Sequence, residues 1–262
     1  FNRWFEIKTI ITSQGTTGTG SLAKALVALS DTNAVVHGHF SLSNLYSNFS
    51  WLNTKAERSV IFGMEMRNFY NDLTIDECFE YLSDVFDKDK KHYFFVHTFT
   101  IGSLVSKGVD FNNKDIRIVN LIRNPNDVLN SSIALARNGY ENSIIMKKHI
   151  IRCYANIINK INKESVKYVD FLSNSIGLKN TMLTLFAVDS VKVMLDECYD
   201  AKKLGVKSYY IEELTNDFQI TESFLNDFVL EEKVINKKEV ISFQKSLKNK
   251  TNIHAKGKED ML

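Results

Sequence analysis

The sequence predicts an α/β fold in which a central parallel sheet is flanked by helices, and three stretches carry that expectation. Residues 7–12, Ile-Lys-Thr-Ile-Ile-Thr, form an apolar run rich in β-branched side chains, followed by a glycine-rich loop and a helix opening near Ser21. Tyr93-Phe94-Phe95-Val96-His97 is a near-continuous apolar run, as parallel strands buried on both faces are. Residues 115–122, Asp-Ile-Arg-Ile-Val-Asn-Leu-Ile, make a further strand that runs straight into Arg123-Asn124-Pro125-Asn126-Asp127 and a helix. No linker, repeat or low-complexity tract interrupts the 262 residues, and a single domain spanning 1–262 is expected.

In chain order, Leu22, Ala25, Leu26 and Leu29 share one face of a helix over 21–30. Residues 34–37 are a short strand, followed by Gly38 and His39. A substrate-facing role suits His39, just past a strand end; a hydrogen-bonded structural histidine is the alternative. His37 and His39 lack a third ligand at fitting spacing, so no metal site is expected. A helix is expected near 74–86 and the Tyr93 strand next. His97 closes that strand, where ligands gather in open α/β sheets, and is a candidate general base.

After Arg123, Asn124 is a good N-cap, Pro125 suits the first helical position, and Asp127 complements the helix dipole. This helix is expected to stop at Asn138-Gly139. Long helices follow over 143–164 and 189–204, the second stopped by Gly205; then a strand over 206–211 and helices over 221–230 and 237–248. The basic, glycine-broken tail from Asn252 reads as a frayed terminus.

Function is read first from the loop Gly15-Thr16-Thr17-Gly18-Thr19-Gly20-Ser21. A strand, a glycine-rich turn and a helix N-terminus form an anion cradle of backbone N–H groups. The spacing resembles a phosphate loop, with Ser21 where such loops have Lys. Arg123 and Ser131, a strand end and two turns of helix apart, can clamp a phosphate; an Arg paired to a neighbouring loop is the alternative. The net charge of +2 (33 Lys+Arg against 31 Asp+Glu) gives no polyanion signal, and no nucleic-acid partner is expected. Three scattered cysteines argue against a disulfide framework or a zinc site. With no apolar run of membrane length and no signal-peptide pattern at the N-terminus, a cytoplasmic location without a membrane span is expected.

Taken together, these motifs resemble the sulfotransferases that use 3′-phosphoadenosine-5′-phosphosulfate (PAPS). Thr17-Gly18-Thr19-Gly20-Ser21-Leu22 is similar to the family's 5′-phosphosulfate loop. Leu121-Ile122-Arg123-Asn124-Pro125-Asn126-Asp127-Val128-Leu129-Asn130-Ser131 fits its R-x-P-x-D-V-x-x-S signature, in which the Arg and the Ser bind the 3′-phosphate. Weaker echoes are Phe95-Val96-His97, Tyr209-Tyr210-Ile211-Glu212-Glu213-Leu214 and Lys256-Gly257-Lys258, the last resembling a loop that closes over the 3′-phosphate. Thr16 stands where the family has a basic residue; Lys24, Lys256 and Lys258 are candidates to supply that charge.

The resemblance implies a P-loop-like, sulfotransferase-type three-layer sandwich. It implies sulfuryl transfer from PAPS, leaving 3′,5′-ADP, to a hydroxyl or amine of a small-molecule, lipid or carbohydrate acceptor. His97 or His39 would take the acceptor proton, and Thr16 would face the leaving group. Gly15, Thr16, Thr17, Gly18, Thr19, Gly20, Ser21, Arg123, Ser131, Lys256, Gly257 and Lys258 would bind the nucleotide. A nucleotide kinase or NTPase, and a non-catalytic module that keeps the nucleotide cradle, are the rival readings.

Overall fold

The structure is a computed structural model and describes residues 7–13, 18–30, 33–37, 60–62, 74–85, 92–230 and 236–248. These divide into two compact units, one built from residues up to Arg123 together with residues 196–248, the other from residues 124–195.

The first unit holds a six-stranded sheet whose strands are β1 (Ile7–Ser13), β2 (Asn33–His37), β3 (Val60–Phe62), β4 (His92–Val96), β5 (Ile116–Ile122) and β6 (Lys207–Tyr210). Their order is β3-β2-β4-β1-β5-β6, and every pairing is parallel. β1 is central, with Ile11 beside Val96 of β4 on one side and Val119 of β5 on the other.

Side chains alternate between the two faces, so β1, β4 and β5 send apolar residues to both, and β4 is apolar without a break from Tyr93 to Val96. Ile11, Val35, Phe94, Val96, Val119, Leu121 and Tyr209 point to one face. There they meet α1 (Thr19–Leu29), α8 (Ile211–Asn216), α9 (Phe218–Phe228) and α10 (Lys237–Lys248) through Leu22, Leu26, Leu214, Phe224 and Phe243. Ile10, Ala34, Tyr93, Phe95 and Ile116 point to the other face. They pack on α2 (Ile75–Val85) and α3 (Ile101–Ser106) through Phe79 and Leu104. Helices therefore cover both faces, as an α/β three-layer arrangement requires. Each fully buried Ile, Leu or Phe in these layers contributes about 1.5–3 kcal/mol of transfer free energy.

Polar ties set the layers in register. Asn33, fully buried, donates from Nδ2 to the Leu26 carbonyl at 2.6 Å, satisfying a last-turn acceptor of α1. Its Oδ1 lies 3.1 Å from His92 Nδ1 at the start of β4. Thr9 Oγ1 donates to the Phe228 carbonyl at 2.7 Å, anchoring the end of α9 to β1.

The second unit is helical: α4 (Pro125–Asn142), α5 (Ile144–Lys160), α6 (Lys163–Ile176) and the first part of α7 (Leu178–Lys203). The start of α4 follows the local chemistry of its sequence: Asn124 Oδ1 accepts from Asn126 N–H at 2.9 Å, Pro125 is the first helical residue and Asp127 lies in the first turn.

Three expectations for the helices are corrected. α4 does not stop at Asn138-Gly139 but runs to Asn142. A Cβ on Gly139 would lie 2.3 Å from Met146 Cγ and 3.0 Å from its Cβ, so this glycine lets α5 approach rather than ending α4. The helix expected over 143–164 breaks at Ile161, because Asn162 adopts an extended conformation and caps a new helix, its Oδ1 accepting from Ser165 N–H at 2.8 Å. The helix expected from 189 begins at Leu178, immediately after Gly177 at φ 83° ends α6.

Gly139→Ala is therefore expected to destabilise the protein by about 1 kcal/mol net, because overpacking costs about 1–3 kcal/mol and only about 1 kcal/mol of helix propensity offsets it. Urea denaturation of Gly139→Ala with and without Met146→Ala checks this. Truncation of Met146 should remove the penalty; a stabilised single variant would contradict the close approach.

Candidate functional site

A parallel sheet puts all its strand carboxyl ends on one edge. Here β4, β1 and β5 are consecutive across it, so His97, Ser13 and Arg123 stand at the ends of neighbouring strands along the same rim.

β1 ends at Ser13, and Gly18 opens α1 from a left-handed conformation, φ 84°. An L side chain is strained at that φ, and a Cβ there would also sit 3.2 Å from Ile211 Cγ1. The Gly18 carbonyl accepts from Ser21 and Leu22 N–H at 3.1 Å each, closing the first turn. A helix so begun directs its first N–H groups, here those of Thr19 and Gly20, beyond its N-terminus toward any anion seated there. A Cβ built on Gly20 meets no described atom within 4 Å. The Thr19 hydroxyl and the half-buried Ser21 belong to the same turn. Lys24 follows in the next turn, half-buried, and burial holds its pKa below the ordinary lysine value.

His97 is the single non-glycine residue with positive φ among the described residues, at 57°. Left-handed backbone costs a non-glycine residue on the order of 1–3 kcal/mol and collects at functional sites. Its N–H extends the sheet ladder to the Ile11 carbonyl at 2.9 Å. Its Nδ1 lies 2.7 Å from the Ser13 carbonyl and 3.3 Å from Ser13 Oγ. A carbonyl only accepts, so Nδ1 carries the proton and Nε2 is the basic nitrogen of the neutral ring. The residue is 2% exposed.

His37 closes β2. Its Nε2 lies 3.0 Å from Thr19 Oγ1, and its ring centroid is 6.3 Å from that of His97. Burial, and secondly the His97 charge, push its pKa down to about 3, so the ring that touches the first residue of α1 is neutral at neutral pH. The unfolded chain binds this proton below about pH 6.5 and the fold does not, so the stability tied to His37 is present above that pH and lost as pH falls. Among the described residues no three His, Cys, Asp or Glu side chains could together hold a metal ion.

Arg123 follows the last residue of β5. Its Nε is 3.8 Å from Glu212 Oε1, in the first turn of α8, with the two side chains 23% and 37% exposed. Glu212 adjoins Ile211, the side chain that faces Gly18. Arg123 and the glycine turn thus meet the same turn of α8, and the carboxylate pairing read as an alternative in the sequence is present. Ser131 lies in the second turn of α4, half-buried, in the unit of residues 124–195. Gly15, Thr16, Thr17, His39, Lys256, Gly257 and Lys258 lie outside the described residues.

A further buried acid caps the helix that follows β4. Glu197, on α7 and 6% exposed, accepts the Ile101 N–H through Oε1 at 2.7 Å and so caps α3, the helix that follows the His97 turn. Sequence reasoning missed it, although Met194, Glu197, Cys198 and Ala201 recur at helical spacing and put a carboxylate on an apolar stripe. Burial raises its pKa to about 7, against the Ile101 N–H, which favours the charged form.

A fold that binds this proton more tightly than the unfolded chain is stabilised below about pH 4.5 and loses that contribution as pH rises toward 7. Glu197→Gln keeps an acceptor for Ile101 without the ionisation cost. The variant is expected to match the parent at pH 5 and to exceed it by about 1–3 kcal/mol at pH 8. Urea denaturation at both pH values checks this; the same pH slope in parent and variant would contradict it.

Neither Cys78 nor Cys153 offers an activated thiol: burial pushes the first up to about 11 and the second up to about 12. Comparison of the chain with family models, with curated proteins and with solved structures gives no match.

Proposed function

We propose that the protein transfers a sulfuryl group from PAPS to a hydroxyl or amine of an acceptor. The observation that carries this reading is the adjacency of β4, β1 and β5. It lines up a histidine with a defined basic nitrogen, a glycine-opened helix N-terminus and a half-buried Arg along one rim. The donor set suits a doubly phosphorylated nucleotide: N–H groups and hydroxyls at the start of α1 for the 5′ side, a guanidinium for the 3′ side. A bound PAPS would supply an activated sulfuryl group, with 3′,5′-ADP as the leaving group on whose bridging oxygen charge develops.

The chain's own residues then have separate tasks. His97 Nε2 takes the acceptor proton, with the Ser13 carbonyl holding the ring's tautomer. The N–H groups of Thr19 and Gly20 stabilise oxygens as charge develops, and neutral His37 holds the Thr19 hydroxyl beside them. Arg123 fixes the 3′-phosphate. Most of the rate would come from positioning and electrostatics.

The 2% exposure of His97, with Thr16 in place of a basic residue, favours a second reading: a 3′-phosphonucleotide-binding module without chemistry. Incubation with PAPS, EDTA and a panel of phenol, sterol and sugar acceptors separates the two. Acceptor-dependent release of 3′,5′-ADP without Mg²⁺ supports transfer. Thermal stabilisation by 3′,5′-ADP with no turnover on any acceptor supports the module, and a strict Mg²⁺ and ATP requirement would instead indicate a kinase.

A further inference from the structure

The helical unit of residues 124–195 carries nine Lys and Arg against five Asp and Glu. Its most one-sided element is α5, which contains Lys147, Lys148, Arg152 and Lys160 and no carboxylate. Met146, Ile150 and Tyr154 form its inner face, with Ile150 fully buried. At 3.6 residues per turn, Ile144, Lys148, Ile151, Arg152 and Ala155 fall on the opposite side. Ile144 is 75% and Ile151 43% exposed, and Lys147, Lys148 and Arg152 are exposed beside them. Lys147 Nζ lies 5.1 Å from the Tyr140 ring centroid; among the described residues none of these three cations is in an ion pair.

A single exposed Ile is ordinary, but apolar side chains set among unpaired cations on an acid-free helix have a specific complement. Cations near an anionic leaflet gain from its surface potential, and apolar wedges gain from the headgroup–acyl boundary. A nucleic-acid backbone would engage the cations and gain nothing from Ile144 and Ile151. We infer that α5 docks on an anionic bilayer surface, with Ile144 and Ile151 entering the headgroup boundary and Lys147, Lys148 and Arg152 meeting lipid phosphates. This is a surface contact; no described helix is long and apolar enough to cross a membrane.

Co-sedimentation of the full chain tests it, with vesicles of phosphatidylcholine alone and of phosphatidylcholine mixed with phosphatidylglycerol. The chain should bind the mixed vesicles, bind the neutral ones far less, and weaken as salt rises. The triple variant Lys147→Glu, Lys148→Glu, Arg152→Glu should lower partitioning about 100-fold or more, each charge near the surface counting for about fivefold before reversal. Ile144→Ser with Ile151→Ser, charges intact, should lower it about tenfold. These side chains are exposed, so unchanged thermal unfolding of both variants confirms that the fold is kept. No binding to the mixed vesicles would overturn the inference, as would partitioning equal to the parent in the charge-reversed variant. So would competition by a duplex oligonucleotide combined with full binding in the serine variant, which would mark a simple polyanion site.

Discussion

Replacing His97 by Asn is expected to lower sulfuryl-transfer turnover by about 10²–10⁴-fold while leaving 3′,5′-ADP affinity nearly unchanged. The choice of Asn follows from the backbone. His97 sits at φ 57°, a region Asn tolerates better than Ala, so the turn between β4 and α3 is kept. The Asn amide can still donate toward the Ser13 carbonyl, but it brings no nitrogen able to take a proton. Kinetics of 3′,5′-ADP release check the expectation. A fall confined to kcat supports a base at Nε2; an unchanged kcat would move that role elsewhere, with His39 the next candidate. A matching loss of nucleotide affinity would mean that His97 chiefly shapes the turn.

Arg123→Ala is expected to weaken 3′,5′-ADP binding by about 2–4 kcal/mol, roughly 30- to 1,000-fold. Two terms combine. The variant loses a charge-assisted, fork-shaped donor, and it leaves the Glu212 carboxylate beside the nucleotide without its guanidinium. Arg123→Lys should recover only part of the loss, because an ammonium on a flexible stem cannot reproduce two parallel hydrogen bonds. Calorimetric titration of the three proteins reads this directly. Equal affinity in parent and Ala variant would assign Arg123 to the Glu212 pair alone.

What was legible in the sequence was local. The β-branched run before Gly18, the apolar strands at 93 and 116, and the Asn-Pro-Asn-Asp opening of α4 depend on neighbours within one turn, and each forms where its residues indicate. The strand order was not legible, because nothing in residues 92–96 says that β4 inserts between β2 and β1. Every cross-element tie at the rim depends on that order. His37 meets Thr19 because β2 and α1 are brought edge to edge, and Arg123 meets Glu212 across nearly ninety residues. Gly139 shows a different limit. A glycine late in a helix serves equally as a stop or as a point of close approach, and only the position of Met146 decides. Over 163–176 the signal was present, since Val166, Val169, Leu172 and Ile176 recur at helical spacing, whereas the helix from Leu178 has no one-sided stripe and only the caps at Asn162 and Gly177 mark where the two helices begin and end.

The central claim is that one nucleotide is held at both ends, by the turn that opens α1 and by Arg123. Its most direct test is the affinity of 3′,5′-ADP and of 5′-AMP for the parent and for Arg123→Ala, taken as a cycle. Removing the 3′-phosphate and removing the guanidinium should each cost the same interaction, so that 5′-AMP binds both proteins alike while 3′,5′-ADP discriminates between them by the full Arg123 loss. Equal loss for both ligands, or for neither, would contradict it.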